Sequence, residues 1–130
     1  MIEEDRHWWF AGRTWSLLKM LDRVVPPDGQ KRVLDVGCGA GNMIHHLARY
    51  GPMVGVDNNP KPLAIARQRG YDVREGQAEA LPFNGGSFEL VTLLDSLEHC
   101  QEDLTVLPEC QRVCAPGGIV VITMPALMWL

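Results

Sequence analysis

Asp35, Gly37, Gly39 and Gly41 stand at alternate positions of the run Val33-Leu34-Asp35-Val36-Gly37-Cys38-Gly39-Ala40-Gly41-Asn42. Glycine lacks a Cβ, so it tolerates positive φ and lets a ligand approach the backbone closely. A glycine loop between a strand and a helix can therefore present N–H groups at the mouth of that helix. Asp35 adds an acid at the strand end, and Asp57 adds another where the next apolar run, Met53-Val54-Gly55-Val56, stops. Together these residues describe a nucleotide-type site.

Spacing narrows the ligand. The dinucleotide fingerprint is G-x-G-x-x-G, whereas this loop reads G-x-G-x-G with Asn42 where the sixth-position glycine would fall, which disfavours a nicotinamide dehydrogenase. A second candidate group is Asp95-Ser96-Leu97-Glu98-His99. The favoured reading is structural, with Glu98 and His99 fixing the turn or the helix that follows, and His99 is the lesser candidate as a general base. No further ligands are placed to complete a metal site with them, so no metal is expected. Cys38, Cys100, Cys110 and Cys114 form no C-x-x-C pair and read as reduced thiols. His45 and His46 are neighbours on a helix, which predicts that they point in different directions.

The elements that must position these groups are legible in order. Val33–Val36 reads as a short buried strand, and residues 43–50 as the helix after the loop. Gly51-Pro52 closes it and hands the chain to the second strand. Asn59-Pro60 predicts an N-cap with proline at the first helical position, and Lys61–Arg69 a helix closed by Gly70. Tyr71–Glu75 is a short, half-polar edge strand. Gly76–Phe83 and the turn Asn84-Gly85-Gly86 precede a central strand over Ser87–Leu94. Asp103 can cap a further helix, whose start Pro108 must delay or kink. Ala115-Pro116-Gly117-Gly118 then turns into a fifth strand, Ile119–Met124. At the N-terminus, His7-Trp8-Trp9-Phe10 precedes Trp15, Leu17, Leu18, Leu21, Val24 and Val25 at helical spacing, stopped by Pro26-Pro27-Asp28-Gly29. That helix either packs on the sheet with an aromatic plug or forms a lid.

The sequence D-x-G-x-G-x-G, helix, strand, acid, followed by Gly76-Gln77-Ala78-Glu79-Ala80-Leu81-Pro82-Phe83 and the phrase R-V-x-x-P-G-G from Arg112 to Gly118, resembles the class I, Rossmann-like S-adenosylmethionine-dependent methyltransferase family. The likeness runs from residue 33 to residue 124. It implies an α/β, Rossmann-like three-layer sandwich with a mostly parallel sheet of about five strands in the order 3-2-1-4-5 and an N-terminal helical lid segment. By the same resemblance Asp35, Gly37, Cys38, Gly39 and Gly41 hold the methionine part of S-adenosylmethionine, with Leu94 nearby. Asp57 takes the ribose hydroxyls, Asn58 the adenine face, and Gln77, Ala78 and Glu79 the adenine end. Gln77 replaces the family's acid, which implies a weaker or altered adenine contact. The W-W-F-x-x-R pattern is similar to one in relatives with small-molecule or glycolipid-like substrates. In the lid reading Trp8, Trp9 and Phe10 exclude water, and Arg13 meets the cofactor's carboxylate.

The implied function is methyl transfer from S-adenosylmethionine to a small-molecule acceptor, with S-adenosylhomocysteine as product. The alternative is a non-catalytic S-adenosylmethionine-binding module, or a truncated fragment, that acts as a partner or regulatory subunit. The family usually adds sixth and seventh strands, for which only residues 125–130 remain. The edge of the fifth strand is therefore expected to pair with another molecule, in a homo-oligomer.

Length and composition agree with this reading. The 130 residues suit one domain, divided here into a lid segment (1–30), a cofactor-binding core (31–124) and a tail (125–130). A hydrophobic share of 46% against 22% charged residues argues for a packed core. A net charge of -4 offers no broad basic surface for nucleic acid. No apolar run approaches the roughly 20 residues of a membrane span, and Glu3, Glu4 and Asp5 stand where a secretory leader would be basic. The expected location is the cytoplasm.

Overall fold

A computed structural model of the chain describes residues 8–94 and 106–123, with side chains from residue 14 onward. Helix α1 (Trp8–Val24) leads to β1 (Val33–Val36) and a short α2 (Ile44–Leu47), continued by a 3-10 turn over Ala48–Tyr50. Then follow β2 (Met53–Asp57), α3 (Pro60–Gln68), β3 (Val73–Glu75), β4 (Phe88–Leu93), α4 (Leu107–Val113) and β5 (Cys114–Ile122). The strands form one parallel sheet in the expected order, β3-β2-β1-β4-β5. After β1 the strand order runs outward through β2 and β3, then jumps back to β4 and β5. The carboxyl ends of β1 and β4 therefore flank the topological switch point, where open α/β sheets bind ligands.

Alternation along the strands assigns the two faces. Val33 and Leu90 join Leu18 and Leu21 of α1 and Val25 just past its end, together with Met43, Leu47 and Tyr50. On the same face Leu63 and Ala66 of α3 pack with Cys38, Ile44 and Val73. Leu34, Val36, Val91 and Leu93 point the other way, toward Cys110 and Val113 of α4. All four residues of β1 are buried, as suits a central parallel strand covered on both sides.

Local chemistry sets the element ends. Asn59 Oδ1 accepts from Lys61 N at 3.1 Å, which caps α3 with Pro60 in its first turn. Pro108 sits in the first turn of α4 and so delays the helix instead of kinking it. Gly51, at φ 148, closes the 3-10 turn where a Cβ would stand 1.7 Å from Lys31 O.

Several expectations are corrected. Trp15 and Val24 do not belong to the buried face of α1: they are 63% and 55% exposed, and Lys19 Nζ lies 5.1 Å from the Trp15 ring centroid. The stripe Leu18, Leu21, Val25 is enough to cover the sheet there. The rings of His45 and His46 do not diverge, since their centroids are 3.8 Å apart. Backbone spacing alone does not fix where long side chains meet. The P-G-G segment is not a turn ahead of β5 but an irregularity inside it. Cys114 pairs with Phe88 and Ile119 with Leu90, so residues 115–118 bulge opposite Glu89. Among the described residues, no helix is long and apolar enough to cross a membrane.

Candidate functional site

The glycine loop is anchored on the end of β2. Gly37 N and Cys38 N both donate to Val56 O, at 2.8 and 3.0 Å. Gly39 N donates to Asp57 Oδ2 at 2.8 Å, while Asn59 N donates to Oδ1 at 2.9 Å. These three loop N–H groups are thus spent on the protein itself. The expectation that they face a ligand at a helix mouth is corrected, because β2 ends beside them and supplies the acceptors. Gly37, Gly39 and Gly41 all have positive φ, at 76, 54 and 86 degrees. A Cβ at Gly39 would meet nothing within 4 Å, so the loop faces open space there. At Gly41 the same atom would lie 2.5 Å from the Tyr71 ring, so this glycine serves packing inside the protein.

Asp35 is only 3% exposed, and Thr92 of β4 donates to its Oδ1 at 2.9 Å across the β1–β4 pair. Cys38 is buried, and its thiol is pushed up to about 12 by burial and by the charges of Asp35 and Asp57. It is a packing thiol and not a nucleophile. Leu94 is buried in the apolar cluster beneath α1. Asn58 is exposed next to Asp57.

The Gly76–Phe83 segment reaches the same rim. Gly76 N donates to Asp57 O at 3.0 Å, and Gln77 forms an isolated bridge with Ala80. Gln77 and Glu79 are exposed, while Ala78 is half-buried against the core. The far end is held by two residues that sequence reasoning passed over. Glu109 Oε1 accepts from Leu81 N at 2.7 Å, and Arg112 donates to Leu81 O at 3.0 Å and Phe83 O at 2.9 Å. Arg112 also pairs with Glu109 and, by hydrogen bonding, holds its carboxyl below the usual range. Arg112 lies in the quoted R-V-x-x-P-G-G phrase, which was the available signal.

Helix α1 runs alongside α2. Thr14 Oγ1 lies 4.0 Å from Met43 Sδ just past the glycine loop, and Asp22 Oδ1 accepts from Tyr50 Oη at 2.7 Å one helix length further down. The backbone of residues 8–13 therefore continues about 9 Å beyond the level of Met43, toward the carboxyl ends of the strands. The side chains of Trp8, Trp9, Phe10 and Arg13 lie outside the described residues, as do Asp95, Glu98, His99 and Cys100. Among the described residues, no group of three or more His, Cys, Asp or Glu could hold a metal ion. Cys38, Cys110 and Cys114 are thiols.

The sheet order, the glycine loop after β1 and the acid at the end of β2 define a Rossmann-like domain of the S-adenosylmethionine-dependent methyltransferase type. Residues 34–122 match the methyltransferase domain family, and the chain belongs to that family. It is 40% identical over 96 residues to the ubiquinone biosynthesis O-methyltransferase of Hahella chejuensis, covering 68% of this chain and 40% of that protein. The protein of the same name in Pseudomonas aeruginosa is 38% identical over 104 residues, covering 72% and 44%. A crystal structure of a Pyrococcus horikoshii protein superposes with a TM-score of 0.80 at 27% identity, covering 93% of this chain and 60% of that one. The chain thus spans less than half the length of these curated relatives.

The residues present fit the family's cofactor. Asp57 uses one acceptor site on each oxygen for a backbone N–H. A carboxylate offers about four such sites, so capacity is left for hydroxyl donors. The open space at Gly39 lies directly beside it.

Proposed function

We propose that this chain binds S-adenosylmethionine at the switch point and transfers its methyl group to a small-molecule acceptor. The observation that carries this reading is the Gly39–Asp57 contact of 2.8 Å at the joined ends of β1 and β2, with open space above Gly39. In this reading Asp35, Gly37, Cys38 and Gly39 surround the methionine part, with Leu94 beneath, and Gly41 shapes the loop from behind through its packing on Tyr71. Asp57 receives the ribose hydroxyls, Asn58 lies on the adenine face, and Gln77, Ala78 and Glu79 line the adenine end. When bound, the cofactor supplies a methyl carbon activated by the adjacent sulfonium. The chain's part is then to orient and to exclude water. The upward run of α1 supports a lid over residues 8–13, in which Arg13 is the candidate partner for the cofactor's carboxylate. His99 is the candidate base where an acceptor proton must leave. The relatives named for O-methylation make a hydroxyl oxygen the first acceptor to test.

The domain works in the cytoplasm in this reading, consistent with its thiols, and the β5 edge pairs with a second copy, which sedimentation would detect as a dimer. A second reading, a binding module without turnover, is favoured by Gln77 in place of an acid. Calorimetric titration with S-adenosylmethionine and S-adenosylhomocysteine, then transfer of labelled methyl to hydroxyl-bearing small molecules, separates the two. Binding with transfer supports the enzyme. Binding without transfer to any acceptor supports the module, and absence of binding removes both.

A further inference from the structure

The glycine loop is gripped from outside by the end of α3. That helix closes with a complete Schellman motif: Gly70 N donates to Arg67 O at 3.0 Å and Tyr71 N to Ala66 O at 3.1 Å, with Gly70 at φ 88. The closure leaves Arg69 and Tyr71, on either side of Gly70, both in reach of the loop. Arg69 Nη1 donates to Ala40 O at 2.8 Å and to Asn42 Oδ1 at 3.2 Å. The Tyr71 ring fills the space behind Gly41. Gly41 is thereby clasped, with its two chain neighbours tied to one guanidinium nitrogen and its own missing side chain replaced by a ring.

We propose that Arg69 is a positioning residue that, with Tyr71, fixes residues 40–42 in their ligand-receiving shape before any ligand arrives. Gly37, Cys38 and Gly39 are already tied to β2; beyond them Gly41 N donates to Cys38 O at 2.9 Å and Gly41 O accepts from Ile44 N at 3.1 Å, bonds within the turn itself, and Arg69 and Tyr71 tie that turn to the end of α3. A loop with glycine at every second position loses much conformational freedom when it orders. Ordering it in advance removes that cost from the binding step. Arg69 is exposed and belongs to none of the apolar clusters, so its two bonds act on the loop and not on the core.

The ligand arm of the test rests on the S-adenosylmethionine reading, and the loop arm does not. Both bonds come from one nitrogen, so lysine can replace them, whereas methionine keeps a comparable stem and no donor. In the ligand-free protein, Arg69→Met should speed amide exchange across residues 40–44 by roughly fivefold, and it should weaken S-adenosylhomocysteine binding by roughly three- to tenfold. The thermal midpoint should stay near that of the unaltered protein, and Arg69→Lys should restore most of both properties. Unchanged exchange in Arg69→Met would overturn the proposal, as would weaker binding without faster exchange. If the unaltered protein binds no S-adenosylhomocysteine, the proposed function fails, and the exchange comparison alone still decides the role of Arg69.

Discussion

The two walls of the candidate site are built differently. On the β1–β2 side the glycine loop is held mainly by neighbouring backbone: Val56 O takes two N–H groups, and the Asp57 carboxylate takes one from each flank. On the β3–β4 side the Gly76–Phe83 segment is held at its far end by Glu109 and Arg112, charged side chains from a helix that arrives much later in the chain. The first wall is part of the sheet's own end. The second is tied to α4, so its position depends on where that helix docks. Damage to the backbone-held part of the first should appear in stability, whereas cutting a side-chain tie, Arg112 on the second wall or Arg69 on the first, should appear in affinity.

The sharpest way to break this contrast is inside the loop. Gly41→Ala combines a positive φ with a Cβ 2.5 Å from the Tyr71 ring and should cost about 2–4 kcal/mol in urea unfolding. Gly39→Ala meets no neighbour and should cost about 1 kcal/mol, while obstructing the ligand. Equal losses for the two would remove the distinction between a packing glycine and a ligand-facing one. Next in size is Asp57→Asn. Each carboxylate oxygen accepts a backbone N–H, so the new amide must set its NH2 group against Gly39 N or Asn59 N in either orientation. Leaving one donor without its acceptor should cost about 1–3 kcal/mol before any ligand is added. Unfolding of the ligand-free variant at unchanged denaturant midpoint would show that Asp57 serves the ligand alone.

What the sequence revealed follows the same division. Asn59-Pro60, Gly70 and Pro108 act on their own helices, and their consequences were readable from residue type. The strand order was readable because the motifs, met in order along the chain, resemble a family whose sheet runs 3-2-1-4-5. Arg69 and Arg112 were not legible as supports, since a long side chain reaching a remote carbonyl leaves no periodic trace. The exposure of Trp15 and the meeting of the His45 and His46 rings likewise depend on which neighbours the fold supplies. The bulge at residues 115–118 looked like a turn because Pro and Gly punctuate both.

On the second wall, Arg112→Met removes the donors to Leu81 O and Phe83 O and releases Glu109 from its partner. We expect S-adenosylmethionine affinity to fall roughly three- to tenfold, with turnover at saturation little changed. A fall in turnover with unchanged affinity would show instead that α4 acts on the acceptor side.

The smallest effect is expected at the opposite end of the sheet. Arg32 precedes β1 and Glu89 lies near the start of β4. Glu89 accepts from Arg32 Nε at 3.1 and 3.2 Å and from Arg32 N at 2.7 Å. Side-chain hydrogen bonding from Arg32, followed by its backbone N–H, holds the Glu89 carboxyl down to about 2, below its ordinary 4.5. A carboxyl depressed in the folded state stabilises the protein above its unfolded value, and that contribution fades as pH falls through the folded value. The pair therefore acts fully at neutral pH, weakens below 4.5 and is lost near 2. Solvent screens this exposed pair, so the change should be modest. Circular dichroism between these limits should show Glu89→Gln with a shallower acid dependence than the unaltered protein. Ligand affinity at neutral pH should not move, because neither residue reaches the carboxyl ends of the strands. An affinity loss in Glu89→Gln would mean that the two ends of β4 are coupled, and the contrast between walls would then extend along the strand itself.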